Sequence, residues 1–308
     1  MKIALIGLGD IAQKAYLPII STCKDITPIL CTRNKQTLAT LGNKYRINQQ
    51  FTDIDELIKS GINGAMVHSS TESHPVIVEK LLSHGIATFV DKPISYHLKD
   101  TERLLNLAEQ KGTPLFVGFN RRYAPLISSI DKTTAVHISL AKNRSYIPNN
   151  PRIFVYDDFI HVLDSLLFLS TSEINNLHVF GYFVDKTNLG SVHVQWHSGQ
   201  TLLTGAMNRV CGHTEEVLEF YGQKQKWQIN QLTHGWHYSE NSKKQNLQQQ
   251  LGFNDWQSTL YKRGFETMLS TFIAQVKNNK IPHNQLQEIL TTHQLCEKVV
   301  AQLSTSDG

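Results

Sequence analysis

Hydrophobic positions follow two different rhythms along this chain. Up to about residue 120, short apolar runs alternate with longer stretches of helical periodicity. Residues 3–6 (Ile-Ala-Leu-Ile), 28–31, 64–67, 87–90 and 114–117 are such runs. Runs apolar on both faces predict strands buried in a parallel sheet. Helices are predicted from residue 11 and at 37–44, 53–60, 75–83 and 98–110. Asp53 fits an N-cap with Glu56 completing a capping box, and Gly85 and Gly112 stand where helices end. Strand and helix alternating at this spacing predict a parallel sheet covered by helices on both faces.

Beyond residue 120 the alternation stops. Residues 135–141 predict a strand and 157–169 an apolar helix. Strands then follow at 177–184, 191–197, 201–207, 216–221 and 227–232, with tight turns at Ser198-Gly199-Gln200 and Gly222-Gln223. This succession predicts a largely antiparallel sheet. The polar, Gln-rich stretch 241–250 predicts a surface loop, and two helices, 256–276 and 284–303, close the chain. The fold class is α/β, a doubly wound parallel sheet over residues 1–120 followed by an α+β domain over 121–308.

Composition agrees with two buried cores. The chain has 308 residues, 40% hydrophobic and 18% charged, which excludes a disordered protein. Thirty Lys and Arg against 26 Asp and Glu give a net charge of +4, but the excess is spread out. Nucleic-acid binding, which needs clustered cations, is not expected. No apolar run approaches the roughly 20 residues of a membrane-spanning helix. Met1-Lys2 leads directly into a strand interrupted by Gly7 and Gly9, unlike a secretory signal. The four cysteines (Cys23, Cys31, Cys211, Cys296) have neither metal nor disulfide spacing. A cytoplasmic protein with reduced thiols is expected.

The first chemical motif is Gly7-Leu8-Gly9-Asp10-Ile11-Ala12, a G-x-G-x-x-A loop between a strand and a helix. Gly7 permits the tight turn, Gly9 lets the backbone approach a diphosphate, and Ala12 lets helix pack on strand. With Asp10 and Ile11 these residues open the helix toward the phosphates. A dinucleotide cofactor follows from the motif in this context. After the second strand, where a 2′-hydroxyl is usually met by Asp or Glu, stand Thr32 and Arg33. Thr32 donates a hydrogen bond and Arg33 can clamp a phosphate, which favours NADP over NAD. The alternative is that Arg33 only stacks on the adenine and both bind. Ser69, Ser70, Thr71 and His74, in the turn after the third buried run, either line the cofactor or cap the next helix.

The second motif is acid–base. Asp91-Lys92-Pro93 ends a buried strand, so Lys92 is placed at the sheet edge where such ligands bind. Asp157 and His161, four apart on an apolar helix, share a face, and Asp164 follows one turn on. Helix capping, a metal site and a satisfied core histidine are the competing readings. Capping does not explain His161, and no third metal ligand presents itself. Histidine suits proton transfer near neutral pH. Asn120, Arg121 and Arg122 either line a substrate site that favours an acidic or phosphorylated group or form salt bridges.

The glycine loop, the strand-ending Lys92-Pro93 and the Asp157-x-x-x-His161 helix together resemble the Gfo/Idh/MocA oxidoreductases. Segments 11–18, 67–71, 118–125, 157–164 and 252–265 strengthen the likeness. The resemblance implies a Rossmann domain that binds NAD(P), then an α+β domain with an open, mainly antiparallel sheet. It implies hydride transfer between the cofactor and a small molecule, a sugar, polyol or related carbonyl compound. It places the family's lysine, carboxylate and histidine on Lys92, Asp157 and His161, which makes these three the catalytic and substrate-binding candidates. Asp91, beside the cofactor, replaces the family's usual Glu. Phe159 stands where glycine is frequent. A homodimer or homotetramer through the C-terminal sheet is also implied. The same fold serves non-catalytic NAD(P) sensors, but a sensor has no need of Lys92, Asp157 and His161.

Overall fold

A computed structural model describes residues 1–241, 243 and 245–305. Two positions of the expected 241–250 loop, 242 and 244, lie outside the described residues. The chain forms two compact units. One is Met1–Gly118 with Phe265–Thr291, and the other is Phe119–Gly264 with the chain from Thr292 onward.

In the first unit, strands β1 (Lys2–Ile6), β2 (Thr27–Cys31), β3 (Gln50–Phe51), β4 (Gly64–Val67), β5 (Ala87–Val90) and β6 (Leu115–Val117) form one sheet. Its order is β3-β2-β1-β4-β5-β6 and every pairing is parallel. This is the order of doubly wound nucleotide-binding sheets. β4 and β5 are buried along their whole length, which is why their sequences are continuous apolar runs and not alternating ones. β3 has only two residues, Gln50 and Phe51, and no pattern announces it. The Asp53 carboxylate accepts from the amides of Asp55 (2.8 Å) and Glu56 (3.0 Å), capping the helix Ile54–Lys59.

The last contribution to this unit comes from far along the sequence. Helix Phe265–Asn278 sets Phe272 edge-on to Phe89 at 5.6 Å and to Phe116 at 6.0 Å. Aromatic pairs of this geometry add about 0.5–1.5 kcal/mol beyond the area they bury. The hydrophobic pattern predicts one domain over residues 121–308, whereas residues 265–291 pack in the first unit.

The second unit is built on eight strands: β7 (Ala135–Asn143), β8 (Ile174–Phe183), β9 (Leu189–Ser198), β10 (Thr201–Asn208), β11 (Glu215–Gly222), β12 (Gln225–Asn230), β13 (His234–Glu240) and β14 (Asn246–Leu251). Their order is β14-β13-β12-β11-β7-β10-β9-β8. All neighbours are antiparallel except β7 and β10, which run parallel. Strict alternation of buried and half-buried positions along β10 gives the sheet one covered face. Helix Ile160–Leu169 packs there. A Cβ on Gly205 would stand 2.9 Å from Leu166 and 3.0 Å from Val162.

Three expectations are corrected beyond residue 120. The 241–250 loop is largely a strand, because β14 pairs with β13 from Asn246 to Leu251. Main-chain pairing, not side-chain pattern, makes it a strand, and its polar side chains suit an edge. The 256–276 helix is two helices, Thr259–Lys262 and Phe265–Asn278. Gly264 breaks them with φ +82°, and a Cβ there would come within 2.5 Å of the Ala124 amide. The 157–169 helix begins earlier, at Pro151, where the Asn150 side chain accepts from the Ile153 amide at 3.0 Å. It then runs through a π-turn, Val155–Phe159, into Ile160–Leu169. Asp157 and Asp158 therefore lie in the body of this helix and not at its start.

Candidate active site

The glycine loop follows β1. Gly7 has φ +84°, and a Cβ on it would lie 2.7 Å from the carbonyl carbon of His68 and the Cα of Ser69. Only glycine allows this turn to nest against the turn after β4. Gly9 is the opposite case, because nothing lies within 4 Å of where its Cβ would be. A helix over residues 10–20 follows, with the Gln13 amide bonded to the Gly9 carbonyl at 3.1 Å. Its first-turn amides have no acceptor within the helix. Asp10 and Ile11 are exposed there, and Asp10 pairs with Lys14 at 2.8 Å. Ala12 is fully buried and lets the helix lie close on the sheet. An open backbone cradle at a helix start fits a diphosphate.

At the end of β2, Thr32 is half-buried and Arg33 is exposed, while Asn34 caps the next helix by accepting from the Thr37 amide at 3.0 Å. No carboxylate occurs between residues 30 and 34. After β4, the Ser73 hydroxyl donates to the Ser69 hydroxyl at 2.7 Å. Ser70 and Thr71 stand at the start of the short 3₁₀ turn Thr71–Ser73, with Ser70 exposed and Thr71 half-buried.

Asp91, Lys92 and Pro93 follow β5, and the Lys92–Pro93 peptide is cis. Burial pushes the Asp91 carboxyl up, opposed by Lys92, His74 and a hydrogen bond from Tyr16. That bond runs from the Tyr16 hydroxyl to Asp91 Oδ1 at 3.3 Å. Tyr16 stacks on His68 at 4.0 Å. Neither nitrogen of buried His68 has a hydrogen-bond partner, and burial pushes this imidazole down to about 3, so it stays neutral. His74 is buried too, with Nδ1 2.9 Å from the Pro93 carbonyl and Nε2 3.0 Å from the Ser69 carbonyl. It thereby ties the turn after β4 to the turn that carries Lys92. Tyr16 and His68 were not singled out in the sequence. Their signal was their place inside segments 11–18 and 67–71, which carry the family likeness.

In the second unit, Asp157 lies in the π-turn and His161 in the first turn of the helix that follows. Both are half-buried. Such turns recur at functional sites because they shift side chains out of the regular helical register. Asp158 is buried and binds Lys142 and Arg144, the latter through Nε at 2.9 Å. Arg121 and Arg122 both make buried ion pairs. Arg121 grips Glu216 in a fork, Nε to Oε1 at 2.6 Å and Nη2 to Oε2 at 2.7 Å. Arg122 Nη2 donates to Asp164 Oδ1 at 2.6 Å, and Thr292 donates to the same oxygen at 3.1 Å. The Asn120 amide donates to the Arg263 carbonyl at 2.8 Å. Of the two readings open for the arginines, salt bridging is the one seen, and it lies inside the second unit. Among the described residues, no group of three or more His, Cys, Asp or Glu side chains is placed to hold a metal. No helix among them is long and apolar enough to cross a membrane.

Comparison with known proteins agrees with this arrangement. A family model described as "Oxidoreductase family, NAD-binding Rossmann fold" matches residues 1–119. A second, "YceM-like, C-terminal domain", matches residues 122–240. The Salmonella typhimurium protein named YceM is 29% identical over 304 residues, 96% of each chain. A crystal structure of a Gfo/Idh/MocA family oxidoreductase from Vibrio cholerae superposes with TM-score 0.93 at 34% identity, covering 99% of both chains. The dehydrogenase MviM from Clostridium difficile superposes with TM-score 0.88 at 29% identity, covering 98% of this chain and 99% of that one. With its nucleotide-binding loop, its strand-ending Lys92 and full-length likeness on both counts, this chain belongs to the Gfo/Idh/MocA family of NAD-binding oxidoreductases.

Proposed function

We propose that this oxidoreductase interconverts a secondary alcohol and a ketone on a sugar, polyol or related small molecule, with NADP preferred over NAD. The observation that carries the reading lies within the first unit. The glycine loop after β1 and Lys92 after β5 leave the same carboxyl edge of one parallel sheet. Two strand spacings separate them, about 10 Å, a span that a dinucleotide bridges from its diphosphate to its nicotinamide. Curated relatives named as myo-inositol and D-apiose dehydrogenases, matched over parts of this chain, support a polyol or sugar.

The bound nicotinamide supplies or accepts the hydride. The chain's own residues position and protonate. Lys92 hydrogen-bonds the reacting oxygen and stabilises the negative charge that grows on it. His161 takes the alcohol proton in oxidation and returns it in reduction. Asp157 orients His161 or the substrate. Thr32 and Arg33 hold the ribose 2′ substituent, and Ser69, Ser70 and Thr71 line the cofactor near the glycine loop.

Thermal-shift titration with NADPH and NADH, then a screen of sugars, inositols and their keto forms, tests this reading. NADPH is expected to stabilise the protein more than NADH. Arg33→Ala is expected to weaken NADPH about tenfold, the size of one charge-assisted phosphate contact, and to leave NADH unchanged. Equal stabilisation of the wild type by both cofactors overturns the NADP preference, and no stabilisation by either overturns the whole reading.

The family's assembly through the C-terminal sheet carries over as part of the same proposal. β8, one of the two terminal strands, exposes Phe180 (59%) and Tyr182 (60%). Light scattering on the purified chain is expected to give a dimer or tetramer, and Phe180→Asp with Tyr182→Asp is expected to give monomer.

A further inference from the structure

β7 and β10 are the parallel pair in the second sheet, so their carboxyl ends lie together. Arg144 follows β7 and Arg209 follows β10, and the Arg144 amide donates to the Asn208 carbonyl at 2.8 Å. Two guanidinium groups thus leave the sheet at one place. Neither has a full set of partners. Arg209 is 8% exposed, with its guanidinium over the Phe154 ring at 5.0 Å. Its Nε and Nη1 are buried and hydrogen-bond to nothing.

Nearby carboxylates do not supply what is missing. Asp158 already serves both Lys142 and Arg144. Glu216 is taken up by Arg121, and Glu215 accepts from Asn143 at 2.8 Å. Asp157 acts on Arg209 only through its charge. Arg144 donates to Asp158 through Nε and Nη2 and keeps its side chain 40% exposed. Burial and the neighbouring Arg121, Arg209 and Arg263 push its guanidinium below the usual range, with Glu216 opposing.

A buried guanidinium with unmade hydrogen bonds is costly and calls for a partner. Planar five-donor forks match carboxylates and phosphates. Phe154 and Asp157 belong to the same stretch of helix, about two turns and one turn before His161. We propose that the substrate carries an oxyanion, a carboxylate or a phosphate, and that Arg209 with Arg144 holds it at the carboxyl ends of β10 and β7. The assignment rests on the reading of Asp157 and His161 as substrate-site residues. It also moves anion recognition away from Arg121 and Arg122, whose donors are committed to Glu216 and Asp164.

Two measurements on the full chain saturated with NADP test this. Saturation blocks the diphosphate loop, so inorganic phosphate titrated calorimetrically reports on the second unit. Wild type is expected to bind phosphate, and Arg209→Gln to weaken it at least about tenfold, the loss of a charge-assisted pair. No phosphate binding, or equal binding by Arg209→Gln, overturns the site. The second measurement needs no variant. Initial rates are compared for a neutral polyol, its sugar acid and its phosphate monoester. One anionic form is expected to exceed the neutral one in kcat/KM by at least about tenfold, and which one does so identifies carboxylate or phosphate. A neutral polyol turned over as well as both anions overturns the proposal. Failure of NADP itself to bind is a separate result and counts against the oxidoreductase reading, not against the anion site.

Discussion

Replacing Lys92 by alanine is expected to lower kcat by about 10²–10⁴-fold, the range of a positioned proton-transfer or hydrogen-bonding group, with cofactor affinity nearly unchanged. The separation follows from where the lysine sits. It is two strand spacings from Gly7 and Gly9, so it has no part in the diphosphate cradle. Its buried neighbours also bond to other groups: Tyr16 donates to Asp91, and the His74 ring lies between the Pro93 and Ser69 carbonyls. Losing the ammonium should therefore leave the turn folded. Removing it also takes away a charge that opposes the burial-raised pKa of Asp91, so Asp91 is expected to become more readily protonated in the variant. NADPH fluorescence titration and single-turnover rates measured side by side decide the point. Turnover close to wild type removes Lys92 from the chemistry, and loss of cofactor binding would make it a structural group.

The largest expected effect on stability belongs to Glu216→Gln. Arg121 is 7% exposed and Glu216 9%, and the fork between them is bidentate. Forming such a pair gains little, because both ions lose their hydration. Breaking it leaves a buried guanidinium unpaired and costs about 3–5 kcal/mol. All four tryptophans, Trp196, Trp227, Trp236 and Trp256, fall in the second unit, so their fluorescence during urea unfolding reads this unit. The pair also sets a pH dependence. Burial pushes Glu216 up, but the charge of Arg121 and its hydrogen bonds hold the carboxyl below its usual range. A carboxyl whose folded pKa is depressed contributes its stability above the unfolded value, about 4.3. That contribution is lost as pH falls below this value and through the folded pKa. Wild type is expected to lose stability across this acid window, and the part due to Glu216 is expected to be missing from Glu216→Gln. A variant as stable as wild type at pH 7 would show that buried Arg121 does not depend on the Glu216 charge.

Features resting on near neighbours in sequence are legible in the sequence alone. The runs at residues 3–6, 64–67 and 87–90 became β1, β4 and β5 because a strand buried on both faces is apolar nearly throughout, the exception Thr88 donating its hydroxyl to the Ile86 carbonyl. Asp53 capped its helix because its carboxylate reaches amides two and three residues on. The glycine loop was readable for the same reason, and so was the position of Lys92 at a strand end. The 241–250 stretch was misread because an edge strand owes its form to main-chain pairing with β13, which leaves no alternation in its side chains. The break at Gly264 depended on the approach of residues 120–124, far away in sequence.

What the chain determined by itself is its local chemistry: two rhythms, a nucleotide loop, and Lys92, Asp157 and His161 on defined elements. What tertiary structure decided is how charges and distant segments are matched. Helix Phe265–Asn278 joined the first unit because Phe272 finds Phe89 and Phe116 there. Arg121 and Arg122 were committed to Glu216 and Asp164, whereas Arg209 kept unmade hydrogen bonds. A guanidinium looks the same in every sequence. Its partner is set by which carboxylate the fold brings within about 3 Å, and that distance exists only once the sheet and its helix have come together.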